Sequence, residues 1–126
     1  MGTVKYSTGP IDNEGVSIYA TDPIYSTVTV SILNNNNDEQ AQAKIILYEL
    51  NGEKTQVDTE VLNFNPQVSK KVTLDVSSLD TFEIQVVITQ EGGPKKVQRR
   101  VLWTATGKDE IGEFVSYLPI TVIGEN

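Results

Sequence analysis

A chain of 126 residues and 13.9 kDa suits a single domain, one whose folding hides about two thirds of the surface its unfolded form exposes. Its net charge of −7 and pI near 4.5 argue against nucleic acid or an anionic membrane as the main partner. Cysteine and histidine are both absent, which removes disulfides, thiolate chemistry, the commonest general base and nearly all ordinary zinc sites. No cofactor motif is present, and an enzyme is not expected.

Valine, isoleucine and threonine together number 39 against four alanines, a balance that favours pleated strands over helices. The first fifteen residues are polar, glycine-containing and poorly patterned, and read as an N-terminal arm preceding one sandwich domain over 16–126. The start MGTVKYSTGP lacks the apolar stretch of a secretory signal, and no segment approaches the roughly 20 apolar residues of a membrane span. Val16–Ala20 is a first candidate strand, interrupted by Asp22-Pro23.

In Tyr25–Leu33, Val28, Val30 and Ile32 alternate with Thr27, Thr29 and Ser31, the period of a half-buried strand. Four asparagines, Asn34, Asn35, Asn36 and Asn37, then lead through Asp38 to the next strand, Ala41–Leu50, whose two faces are both apolar enough to be covered. Asparagine tolerates left-handed backbone and bonds its own main chain, so the run reads as a compact turn, with ligand contact at Asn34–Asp38 as the alternative. Asn51-Gly52 predicts a type I′ hairpin into Lys54–Leu62.

After the turn Asn65-Pro66-Gln67, Val68, Val72, Leu74 and Val76 alternate with polar residues up to Ser77–Asp80. Phe82, Ile84, Val86 and Ile88 form the next apolar phase, and beyond Glu91–Pro94 a further strand carries Val97, Arg99, Val101, Trp103 and Ala105. A turn over Gly107–Gly112 precedes a last strand, Phe114–Ile123, expected to bury Phe114, Leu118, Ile120 and Val122 and, because of Pro119, to lie near a sheet edge. Seven or eight such strands predict an all-β, antiparallel two-sheet sandwich, immunoglobulin-like or jelly-roll.

The Asn-rich turn, YELNGEK, FNPQVSKKVTLDVSSLD, TFEIQVVI and VLWTATGKDEIGEFVSYLPITVI resemble small Ig-like or CARDB-like sandwich proteins on the surface of spore-forming Gram-positive bacteria, over about Tyr25–Ile123. Among them, endospore appendage subunits are the most suggestive. The resemblance implies a spore-associated or cell-surface protein made without a signal peptide. It carries over no catalytic residue, and the missing cysteines exclude disulfide cross-links between subunits.

Other clusters have ordinary explanations. Asn34–Glu39, Asp12–Gly15 and Asp109-Glu110 hold oxygen ligands of the kind calcium uses, but the same residues build turns, and none forms an EF-hand loop. Lys95, Lys96, Arg99 and Arg100 are the one basic cluster, read as Lys95 and Lys96 solvated at a strand end and Arg99 at the rim of the core rather than as a binder of anionic polymer. Trp103 with Tyr6, Tyr19, Tyr25, Tyr48 and Tyr117 offers rings for sugar stacking, or a core anchor and sheet cover. The expected function is therefore a non-enzymatic structural protein, a homo-oligomer or polymer in which the arm, through Val4, Tyr6 and Ile11, completes a neighbour's sheet. A carbohydrate- or cell-surface-binding module is the alternative.

Overall fold

The computed structural model of the chain describes residues 1–15 and 23–126. In chain order the elements are β1 (Gly2–Ser7), β2 (Ile11–Asp12), β3 (Thr27–Asn34), β4 (Ala41–Leu50), β5 (Lys54–Phe64), β6 (Ser69–Asp75), β7 (Thr81–Gln90), α1 (Pro94–Arg100), β8 (Val101–Lys108), β9 (Phe114–Tyr117) and β10 (Thr121–Glu125). The strands form two antiparallel sheets, one ordered β10-β1-β7-β4-β5 with β2 beside β7, the other β6-β3-β8-β9.

The all-β sandwich expected from the alternating pattern is what forms. Val28, Val30 and Ile32 of β3 face Ala43, Ile45 and Leu47 of β4 and Phe82, Ile84, Val86 and Ile88 of β7 across one core, each 1% exposed or less. Since strand side chains alternate between faces, a period of two in the sequence becomes one dry and one wet face. Ala41–Leu50 is central, as its two apolar faces imply, between β5 and β7. Val16–Ala20 lies outside the described residues.

Four local expectations are corrected. Pro94–Arg100 is a helical turn and not the start of a strand: proline occupies its first turn, where a missing N–H costs nothing, and Gly93 is extended before it. Only Val97 of that helix is buried, and Arg99 points out instead of joining the core phase. The Asn51-Gly52 hairpin forms, but as a three-residue loop in which Gly52 alone of the pair has positive φ, at 96°, so it is not type I′. The turn after β8 begins at Asp109, because Gly107 stays in the strand beneath the Tyr25 ring, where an added Cβ would sit 2.3 Å from ring carbons.

The fourth concerns Phe114–Ile123, which switches sheets. β9 pairs with β8 in the second sheet, Pro119 sits in the passage, and β10 pairs with β1 in the first. Its edge position is as expected but its faces are not. Leu118 is buried, whereas Phe114 is 57% exposed and Ile120 and Val122 keep 37% and 39% of their surface exposed.

The N-terminal segment has a place in this chain's own sheet. Both edges of β1 are hydrogen-bonded, to β7 and to β10, and Val4 and Tyr6 are buried in the core. A six-residue strand shows only two apolar residues on its inner phase, too few to register as a pattern.

Candidate self-association edge

The asparagine run is built into the end of the sandwich. Asn34 and Asn36 turn inward and are almost fully buried, while Asn35, Asn37 and Asp38 are exposed. The Asn34 side-chain amide donates to the Glu39 and Asn65 carbonyls, at 2.8 and 3.2 Å, and its Oδ1 accepts from Gln90 Nε2 at 2.9 Å and the Asn36 N–H at 3.3 Å. Asn36 Nδ2 donates to Gln90 Oε1 at 3.2 Å, and its Oδ1 accepts the Asp38 N–H at 2.9 Å. Inward amides of this kind satisfy loop backbone that would otherwise be buried unpaired. Beside the loop runs a groove of about 830 Å³, lined in part by Glu39, Gln42, Asn63, Asn65, Lys70 and Glu91; its one aromatic, Phe64, is only 1% exposed and offers no stacking face.

The remaining sequence candidates disperse. Asp12 Oδ1 accepts the Glu14 N–H, and Asp109 Oδ1 accepts the N–H groups of Ile111 and Glu113, so both serve turns. Among the described residues no three acidic side chains converge as metal ligands would. Trp103 packs edge-on against Tyr6, with ring centroids 5.5 Å apart, and Tyr25 hydrogen-bonds Ser116 at 2.6 Å. Ile11 is half-buried on β2, and Tyr19 lies outside the described residues.

One charged constellation sits on the outer face of the first sheet. Ser7 Oγ donates to Glu83, Gln85 Nε2 donates to the same oxygen at 3.1 Å, and Lys54 Nζ lies 2.7 Å from the other carboxylate oxygen and over the Tyr48 ring. Burial alone would raise the Glu83 pKa, but the bonds from Lys54, Ser7 and Gln85 and the Lys54 charge outweigh it and the net shift is downward. A carboxylate so stabilised is a poor base for Ser7. The group instead ties β1, β5 and β7 together.

What the fold leaves unsatisfied is the edge where the chain switches sheets. Among the described residues eleven large apolar side chains are exposed, and seven of them fall between Ile111 and Ile123, with Tyr117 at 67% and Ile123 at 50%. Among the described residues β9 and β10 each pair on one side only. Each also carries a bulge whose unpaired residue is apolar: Val115, opposite Gly107/Lys108, and Ile123, opposite Lys5/Tyr6. Phe114 and Tyr117 stack edge to face at 5.2 Å, which widens the patch.

Aromatic side chains cover roughly 150–250 Å² and aliphatic ones somewhat less, so the exposed share of these seven comes to about 700 Å². Contiguous apolar patches beyond a few hundred Å² mark interaction surfaces. The opposite edge, β5 and β6, is mainly charged: Val57, unpaired at a bulge of β5, and Val61 are exposed there, but they lie among exposed Lys54, Asp58, Glu60, Lys70 and Lys71, the charge that protects an edge from pairing. Sequence reading missed the C-terminal patch because it assigned one phase of Phe114–Ile123 to the core. The signal was present in the other phase, where Val115, Tyr117 and Ile123 are apolar too.

No protein-family model and no curated protein matches the chain. Among solved structures it is similar to the crystal structure of Thermotoga maritima 1070, at 17% identity and a TM-score of 0.53, over 94% of this chain and 90% of that one. It also aligns with the Anabaena sensory rhodopsin transducer, at 20% identity, a TM-score of 0.43 and 82% and 92% coverage. A third alignment is with the naturally occurring empty particles (top component) of cowpea mosaic virus, at 13% identity, a TM-score of 0.47 and 98% and 81% coverage. The first likeness concerns the fold, and the other two are weaker.

Proposed function

We propose that this chain is a non-enzymatic structural protein that acts by self-association, and that it associates through its β9–β10 edge. The observation that carries the reading is the exposed apolar surface of about 700 Å², summed over seven side chains of β9, β10 and the segments beside them, next to strand sides that pair with no other described residue; it is close to the ~800 Å² per partner that a standard protein interface covers. Sheet edges with exposed apolar side chains and no lysine or proline inside the strand are templates for a further strand, and β10, Thr121–Glu125, fits that description. The resemblance to spore-surface sandwiches supplies a setting, a surface layer or appendage of a Gram-positive spore. The arm-exchange route proposed by the sequence is less economical, because β1 already fills its place within the chain.

Light scattering coupled to size exclusion tests the reading. The native chain should run larger than a monomer, and Tyr117→Lys combined with Ile123→Lys should return it to monomer with an unchanged far-ultraviolet spectrum. Association unaffected by both lysines would place the contact elsewhere. A native chain that stays monomeric up to about 100 μM, above the weak end of interfaces of this size, would remove self-association itself.

A further inference from the structure

The edge that carries the patch is also an electrostatic dipole. At one end lies α1, with Lys95, Lys96, Arg99 and Arg100 all exposed, four of the ten basic residues in the chain. Lys95 Nζ sits 3.1 Å from Glu125 Oε1 and Gln98 bonds the same oxygen, which seats the helix against the C-terminal end of β10. At the other end is the turn Asp109–Glu113, leading directly into β9, with Glu110 and Glu113 exposed. α1 precedes β8 and the acidic turn follows it, so the eight residues of that strand hold the two clusters about 25 Å apart.

We infer that the partner at this edge is a second copy turned antiparallel about a two-fold axis, with the acidic Asp109–Glu113 turn of each copy against the basic α1 of the other. The inference rests on the self-association reading above and adds its symmetry. Two-fold pairing lets the apolar patch meet itself, the requirement of an isologous interface. It also separates the two acidic turns and brings each to a cationic helix, whereas side-by-side copies in the same orientation would stack acid on acid.

Head-to-tail growth meets the same objection. If β9 lay on the β6 edge of a copy in the same orientation, the acidic turn would come beside Asp75, because Asp75 and Lys108 both pair with Thr27. The lysines of β6, Lys70 and Lys71, are at the far end of that strand. Like charges brought together at an interface repel and select against the wrong register. The product is a closed dimer, and larger structures must be built from dimers through other surfaces.

Charge reversal with mixing is the test. Lys96→Glu/Arg99→Glu/Arg100→Glu makes both clusters acidic while keeping the Lys95–Glu125 pair, and Glu110→Lys/Glu113→Lys makes both basic. Each variant alone should dimerise at least tenfold more weakly than the native chain. An equimolar mixture should recover native-like affinity as a heterodimer, more readily at low salt. Since the chain has no cysteine, Lys96→Cys/Glu110→Cys gives a second readout: oxidation should produce a discrete disulfide-linked dimer. Persistent association with no rescue on mixing, or a ladder of cross-linked species, would overturn the two-fold arrangement alone. A native chain that never associates would overturn the self-association reading beneath it.

Discussion

At the scale of single residues, position along a strand decides what chemically identical side chains do. Asn34, the last residue of β3, and Asn36 just past it fall on the inward phase and become the buried hub of a loop, while Asn35 between them is exposed. Asn34→Ala should therefore cost about 2–3 kcal/mol in urea unfolding, since it strips buried groups of their partners, and Asn35→Ala should change stability by less than about 0.5 kcal/mol. The sequence announced a turn at this place. It did not announce Gln90, 56 residues away from Asn34, as the partner that completes it.

Glu83 shows the same dependence on distant neighbours: Ser7 and Lys54 reach it from two other strands. Its pKa is lowered by folding, so its ionised form contributes stability that is complete above the ordinary glutamate range. That contribution is lost as the pH falls through the ordinary value towards the lowered one. Glu83→Gln should accordingly flatten the acid limb of a stability-against-pH curve and leave the shape above pH ~6 unchanged, where glutamate is ionised folded or unfolded. An acid limb as steep as that of the native protein would remove Glu83 from the account.

At the scale of elements, strands with long alternating runs were legible and short or composite ones were not. β3, β4 and β7 expose eight to ten residues of pattern each, and their inward faces are those the alternation indicates. Val97, Arg99 and Val101 mimic that alternation across a helix-to-strand junction, and the correct signal was the Gly93-Pro94 pair that opens α1. β1 was illegible because two inward residues make no period. Its burial leads to a distinct expectation for the N-terminus: removing residues 1–8 should cost more than about 4 kcal/mol or prevent folding, because it deletes Val4 and Tyr6 and bares one edge each of β7 and β10. A truncated chain that folds as stably as the native one would show β1 to be dispensable.

At the scale of the whole molecule, the two lateral edges are finished differently. The β5–β6 edge is charged and largely polar, and the β9–β10 edge is largely apolar and flanked by opposite charges. This asymmetry could not be seen from composition, because it depends on one strand dividing itself between two sheets at Pro119. The same segment closes the sandwich through Leu118 and leaves its other apolar residues for a partner.

Amide hydrogen exchange over a protein concentration series tests that assignment most directly. Concentrating the protein from dilute to well above its association midpoint should slow exchange in Phe114–Glu125, with little change in β5 and β6. Exchange in Phe114–Glu125 that is the same at every concentration, or protection gained at β5 and β6 instead, would contradict the assignment of this edge as the interface.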